Sequence, residues 1–526
     1  MVFGRRVVWH GAGEMPALHE SGVLELPAEG KVAAISRESI EGANWVPLWK
    51  HKRVLAFGRP KDVLSIRPFM EGLEENGNSV GLVSRPEKFS SEDMREARPD
   101  VLFLPTTDDH SEWANAIRRR VLGMAGGGPK FVAYYDTDWL TRWPVAYPYT
   151  KEERAYKQKL MGFYGSQNSR TDFAQATLDV NRALALEMGL GGKYAGVEMF
   201  GVVELGGDYL DDSKGGSSRQ CIFGSGAKGR NSRNVPFPKN HLLIVAGVHY
   251  DDESLPIGAF ARRWKEYGPV VNLMFVSGAR AVIDDIEALK VDDVVKHWMR
   301  DGRRFDELTA ASAFSGIETI SLCHELTQVA PDGMNFYDRF KVTGKPQLSQ
   351  EEFDVIDRTM LRIIKSHPGV GGVWVAMPYM LDAHPDHQVV HHAVSDVTAH
   401  TGGLAPEIWG LQYPSPWAGT GNMFYFFTGE NQLEARRRWA RKHWISRDAI
   451  EARELREHAY AIVAGEMIGL RGFGQKPVHA GEYAVRMSVE TLEDARQGRD
   501  GVIVSGRPRL STAGRERVYG TLFTAD

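Results

Sequence analysis

The chain has 526 residues, 42% of them hydrophobic and 25% charged, which is ordinary for a globular protein and enough for two to four domains. Its net charge of −4 gives no basic field for nucleic acid or an anionic membrane. The two cysteines, Cys221 and Cys323, form neither a disulfide framework nor a CxxC metal site. The longest apolar runs, such as LLIVAGV at 242–248, are far shorter than the ~20 residues of a membrane helix. The first sixteen residues lack the apolar core of a signal peptide, so a cytoplasmic location and no membrane insertion are expected.

Residues 1–50 read as short strands and turns, a β-rich extension without a motif. From 53 the pattern alternates. RVLAFG is a buried strand, VLSIRPFMEGLEENG a helix closed by Gly77, SVGLVS a strand, SSEDMREA a helix and DVLFLP a strand. After TTDDHSEW come the helix ANAIRRRVL, the strand KFVAYY, and two helices, KEERAYKQKLMGFYGSQ and TDFAQATLDVNRALALEMG. Strands alternating with helices predict a mostly parallel α/β sheet. Residues 205–240, rich in Gly, Ser and Asn, read as a linker or long loop.

At 241 the alternation restarts with the strand HLLIVAGV and the helix SLPIGAFARRWKEYG, then the strand PVVNLMFVSG. Further on come the helix FDVIDRTMLRIIKSH, the strand GGVWVAMPYM, the helix QVVHHAVSDVTAHTGG, the strand EIWGLQY and the late helix ARELREHAYAIVAGEM. The two halves match in element order. Arg59 falls on His249 and Asp62 on Asp252, and His110 falls on His387 after an insertion in the second half. The expectation is a tandem duplication of two related domains, 51–204 and 241–526.

Two clusters carry chemistry. His249-Tyr250-Asp251-Asp252-Glu253 follows an apolar strand, where open α/β sheets bind ligands. A His and an Asp three positions apart in a tight loop can both face one ion. His384-Pro385-Asp386-His387 stands at the end of a second strand and can supply a third ligand. Three protein ligands plus water is the composition of a catalytic zinc site. Asp251 is then available as a base and His384 as a proton donor or oxyanion partner. Taken singly, an HxxD in a loop is usually a helix cap with a surface histidine, and HPDH alone reads as a polar turn with Pro at the helix start. Their joint occurrence at two strand ends in one half favours function. His391 and His392, one turn on, read as ordinary helix residues.

These motifs resemble those of the LmbE-like (PIG-L) family of zinc-dependent N-deacetylases, whose usual forms are HPDDE and HPDH. The resemblance implies an α/β fold of two Rossmann-like domains with mostly parallel sheets flanked by helices. It implies one Zn2+ per chain on His249, Asp252 and His387, with Asp251 as general base. His384 would stabilise the tetrahedral intermediate or protonate the amine, and Asp386 would orient a histidine. The helix from Arg303 to Gly316 also resembles the family's. Tyr250 departs from the usual Pro, and Asp382 stands where some relatives carry Tyr. The first half resembles a worn copy: Arg59-Pro60-Lys61-Asp62 and Thr107-Asp108-Asp109-His110 keep only Asp62 and His110 of the ligand set. Arg59 and Lys61 would repel a dication there.

The function expected is hydrolysis of an amide in a polar, sugar-like small molecule by 241–526, with 51–204 inactive. A non-catalytic glycan- or conjugate-binding protein and a metal-dependent hydrolase of a non-amide ester are the alternatives. Homo-oligomer formation is left open.

Overall fold

The computed structural model describes residues 32–35, 43–46, 52–59, 63–75, 77–105, 112–126, 129, 131–135, 145–168, 171–204, 220–224, 232–276, 283–331, 336, 339, 348–378, 385–401, 408–413, 422–428, 430–469 and 483–491. In chain order, the first elements are β1 (Val32–Ile35), β2 (Ala43–Val46), β3 (Arg53–Phe57), α1 (Arg67–Glu75), β4 (Ser79–Val83), α2 (Ser91–Ala97), β5 (Val101–Pro105), α3 (Glu112–Met124) and β6 (Phe131–Tyr135). Next come β7 (Val145–Tyr149), α4 (Lys151–Met161), α5 (Gly165–Asn168), α6 (Phe173–Glu187), β8 (Gly196–Glu204), β9 (Gln220–Phe223) and β10 (Ser232–Val235). The restart at 241 gives β11 (His241–Gly247), α7 (Gly258–Trp264), β12 (Val270–Met274), α8 (Asp284–Glu287), α9 (Asp293–Ser315), β13 (Glu318–Ser321) and α10 (Cys323–Gln328). It continues through α11 (Gln350–Ser366), β14 (Gly372–Pro378), α12 (Pro385–Thr401) and β15 (Ile408–Tyr413). The last elements are β16 (Asn422–Thr428), α13 (Glu430–Lys442), α14 (Arg447–Gly469) and β17 (Tyr483–Thr491).

Local chemistry sets several boundaries. Ser90, Thr150 and Ser349 each close a capping box at the start of α2, α4 and α11. Gly77 (φ 79°) and Gly316 (φ 61°) take the left-handed conformation that ends α1 and α9. The helix expected from Ser254 starts only at Gly258. Before it, the Asp251 carbonyl accepts the Ser254 N–H, the Ser254 hydroxyl and the Leu255 N–H, which holds a run of turns.

The elements divide into two α/β units. In unit 1 the eight strands run in the order β2-β1-β16-β17-β6-β5-β3-β4, with β6, β5, β3 and β4 parallel. In unit 2 the nine strands run β10-β9-β7-β8-β15-β14-β11-β12-β13, with β15 through β13 parallel. Strand β11 is buried on both faces. Leu242, Ile244, Ala246 and Val248 join a core with Val389, Val390 and Ile356 of the helices on one side. Leu243 and Val245 join Phe260, Trp264 and Trp374 on the other. Two-sided burial produces the continuous apolar run seen in the sequence.

The units do not follow the domain boundaries expected from the sequence. Within 51–204, β7, α4, α5, α6 and β8 belong to unit 2, where β8 pairs antiparallel with β15. Within 241–526, β16 and β17 belong to unit 1, where β17 pairs antiparallel with β6. Residues 205–240, expected as a linker, contain β9 and β10, which extend the unit 2 sheet beside β7. Residues 205–219 and 225–231 of that stretch lie outside the described residues.

Candidate metal centre

Strand β11 lies between β12 and β14, and the order of the chain through the sheet reverses there. The crevice beyond the carboxyl ends of β11 and β14 is therefore the place where such a sheet binds ligands. His249 to Glu253 leave β11 into it. Asp386 and His387 enter it from the first turn of α12, which follows β14. A Cβ at Gly247 would lie 2.5 Å from the Met274 sulfur, so a larger residue there would displace the Met274 side chain.

Among the described residues one group is arranged to hold a metal ion: His249, Asp252 and His387, with ligating atoms within 4.8 Å of one another. Asp252 is pinned, because its Oδ2 accepts the backbone N–H groups of Val248 and His249, each at 2.8 Å. The same oxygen lies 3.5 Å from His387 Nε2 and 3.9 Å from His249 Nδ1. Two imidazoles and one carboxylate make an N/O donor set of the kind that divalent transition metals accept. Asp386 Oδ2 stands 3.4 Å from His249 Nε2. A histidine that donates one ring N–H to a carboxylate presents its other nitrogen as a lone pair.

Asp251 stands outside this ligand group. Its Oδ1 accepts from Arg304 Nη2 at 3.0 Å, and Arg304 Nη1 lies 3.3 Å from Glu307. Glu307 in turn accepts the Ser166 N–H at 2.7 Å and the Ser166 hydroxyl at 2.6 Å. The result is a chain of contacts from α5 through α9 to the turn after β11. Burial alone would lower the Arg304 pKa, but Asp251 and Glu307 outweigh it and hold the guanidinium above its ordinary value. Glu253, also buried, is hydrogen bonded by the Tyr164 hydroxyl. Burial pushes its carboxyl well above the usual range, and the nearby Asp251 charge adds to the effect. Tyr250 is buried, with its hydroxyl 3.7 Å from Cys323 Sγ and its ring 6.3 Å from that of Phe305. His391 is buried too, and its Nδ1 donates to the Pro378 carbonyl at 2.8 Å.

The structure thus brings together His249, Asp252, His387, Asp251 and Asp386. His384 lies outside the described residues, as do Lys61, Asp62, Asp108 and His110 of the first half. Sequence reasoning assigned no role to Arg304, Glu307, Tyr164 or Ser166. The signal for the first pair was available: Arg304 and Glu307 stand one turn apart in a helix, and few charged residues are buried without partners. Tyr164 and Ser166 precede the site by some 85 residues, and no local pattern ties them to it.

No protein-family model matches the chain, and a search of curated proteins finds no match. Solved structures are similar over about half of it. One is a conserved protein, TT1542, from Thermus thermophilus, at 21% identity over 47% of this chain and 93% of that one, with a TM-score of 0.22. Another is the N,N'-diacetylchitobiose deacetylase from Pyrococcus horikoshii, at 18% identity over 48% and 85%, with a TM-score of 0.23. A third is a deacetylase of teicoplanin biosynthesis in complex with teicoplanin, at 14% identity over 48% and 98%, with a TM-score of 0.25.

Proposed function

We propose that unit 2 is a metal-dependent amide hydrolase that removes an acyl group from the nitrogen of a polar, sugar-like conjugate. The observation that carries this reading is a division of labour between adjacent residues. His249, Asp252 and His387 converge on one point, while Asp251 beside them is held outside the ligand set by Arg304. A pure binding site needs the convergence but has no use for a separately held carboxylate.

His249, Asp252 and His387 would hold one zinc ion, which when bound supplies Lewis-acid activation of water and of the scissile carbonyl. Asp386 keeps the His249 ring in the orientation and tautomer that ligation needs. Asp251 accepts the proton of the attacking water and returns it to the departing amine nitrogen as the C–N bond breaks. Arg304 fixes the carboxylate of Asp251 during both transfers. His384, by its place in the motif, stabilises the oxyanion or shares the proton delivery. The proton count closes: water gives one hydrogen to the amine nitrogen and its hydroxyl to the acyl carbon, and the acid proton of the product then passes to the free amine, leaving a carboxylate and an ammonium.

The test joins elemental analysis to amine release from a panel of N-acetylated amino sugars, for wild type and Asp251→Asn. The expected result is one zinc per chain in both proteins and a loss of roughly 10²–10⁴-fold in turnover in the variant, the range for a positioned acid–base group. Absence of bound metal, or an Asp251→Asn protein that keeps its metal and its full rate, would overturn the proposal.

A further inference from the structure

Helix α9 is 23 residues long, yet its buried residues are only Arg304, Leu308 and Ala311, all in its second half. Its first three turns stand out from unit 2 and are fastened by Lys296 and Arg300 to Glu287 of α8. An exposed helix of this kind should be polar all round. Instead Val291, Val294, Val295, Trp298, Met299 and Phe305 are exposed, with Val294 and Trp298 each at 66%. At 100° per residue, 294, 295, 298 and 305 fall within one arc of the helix, centred roughly 120° from the side occupied by Arg304, Leu308 and Ala311, and Val291 precedes the N-cap Asp292. Gly302 lies in the same arc, with open space where a side chain would be.

We propose that this stripe is the contact surface between two copies of the chain, packed with their α9 helices antiparallel about a two-fold axis at Trp298. Three features select a second copy. Val294 and Trp298, each 66% exposed, with Val295, Met299, Phe305 and Val291 beside them, form a continuous apolar surface of the kind that the core of a standard interface of ~800 Å² per partner buries. The pattern is self-complementary: with Trp298 on the axis, Val294 lies over the space at the partner's Gly302. The charges agree as well. Asp292, which caps α9 by accepting the Val295 N–H, and Arg303, which pairs with Asp285 at 3.2 Å, share one edge of the stripe, so the same two-fold sets Asp292 beside the partner's Arg303, and an isologous contact makes that pairing twice. An anionic lipid surface fits less well, because Asp284, Asp285, Glu287, Asp292 and Asp293 outnumber the nearby Lys290, Lys296, Arg300 and Arg303.

Sedimentation equilibrium of the full chain should give twice the chain mass, and Trp298→Glu should give the chain mass with an unchanged circular dichroism spectrum. Cysteine substitution tests the register. Trp298→Cys should cross-link to itself under mild oxidation, whereas Val294→Cys should cross-link only when mixed with Gly302→Cys. A monomeric wild type at every concentration, or a dimer that Trp298→Glu leaves intact, would overturn the proposal. A monomer that sediments with phosphatidylserine vesicles through Trp298 would replace it with a membrane contact. Self-cross-linking of Val294→Cys in place of Trp298→Cys would disprove the antiparallel register.

Discussion

The guanidinium of Arg304 is charged at any working pH, and it lies buried between two carboxylates. Removing it strands the Asp251 and Glu307 charges in a site with little access to water. Arg304→Met should therefore cost about 3–5 kcal/mol of stability, the usual loss when one member of a buried ion pair is deleted. Urea unfolding of the chelator-treated proteins measures this without a contribution from metal. Arg304→Lys should recover part of the stability but less of the activity, since an ammonium lacks the planar fork that spans both carboxylates. Cys323 makes a second case at this scale. Burial pushes its thiol up to about 11, so at pH 8 only about one molecule in a thousand carries the reactive thiolate. Alkylation of the native protein, mapped by mass spectrometry, should spare Cys323 at neutral pH and accelerate as the pH rises toward 11. Fast labelling at pH 7 would show that the site opens readily. The residues legible in the sequence were those whose chemistry is local. His249 and Asp252 are three positions apart, so their spacing alone places them on one turn. Arg304 owes its role to partners 53 residues upstream and three downstream, and spacing says nothing of the former.

Among the elements, α4 and β8 hold unit 2 through a buried pair, Lys157 with Glu198. The Glu198 carboxylate also accepts the N–H groups of Ala259 and Phe260, at 3.1 and 2.8 Å, in the first turn of α7. Those N–H groups have no partner within their own helix, and a carboxylate at a helix N-terminus suits the dipole as well. Burial pushes the Glu198 pKa up and the Lys157 pKa down, so neither group tolerates charge there without the other. Lys157→Met should destabilise by about 3–5 kcal/mol, and Glu198→Gln, which strands Lys157 and also sets an NH2 group against one of the two N–H groups, by more. Guanidinium midpoints compare the two, and equal losses would count against the capping role. This arrangement was hidden from sequence reasoning for a physical reason. The segment VAYPY of β7 carries Pro148, which argues against a strand, and β7 finds its partners in β8 and β9. The parallel strands were easier, because burial on both faces leaves an unbroken apolar run whatever the sheet order.

At the scale of the molecule, the parallel strands run β6-β5-β3-β4 in unit 1 and β15-β14-β11-β12-β13 in unit 2. Each unit places its first parallel strand between its second and a later one, β5 in unit 1 and β14 in unit 2, and unit 2 adds β13 beyond β12. The antiparallel completion of each sheet comes from the opposite part of the sequence: β17 and β16 beside β6, and β8 and β7 beside β15. This reciprocal arrangement is why boundaries drawn from the order of motifs separate elements that pack together. It also makes a sharp prediction about fragments. Residues 241–526 contain every expected metal ligand and Asp251, but they lack Tyr164, Ser166 and Glu198. Without these, the carboxylates of Glu253 and Glu307 and the N-terminus of α7 lose their buried partners. The fragment 143–418 retains all of them, together with the complete parallel sheet. Expressed separately, 143–418 should unfold cooperatively and bind one zinc, while 241–526 should be insoluble or lack a cooperative transition. If 241–526 alone folds and binds metal with the affinity of the whole chain, then α4, α5 and β8 are dispensable to the site, and the contacts from Ser166 to Asp251 have no part in holding it.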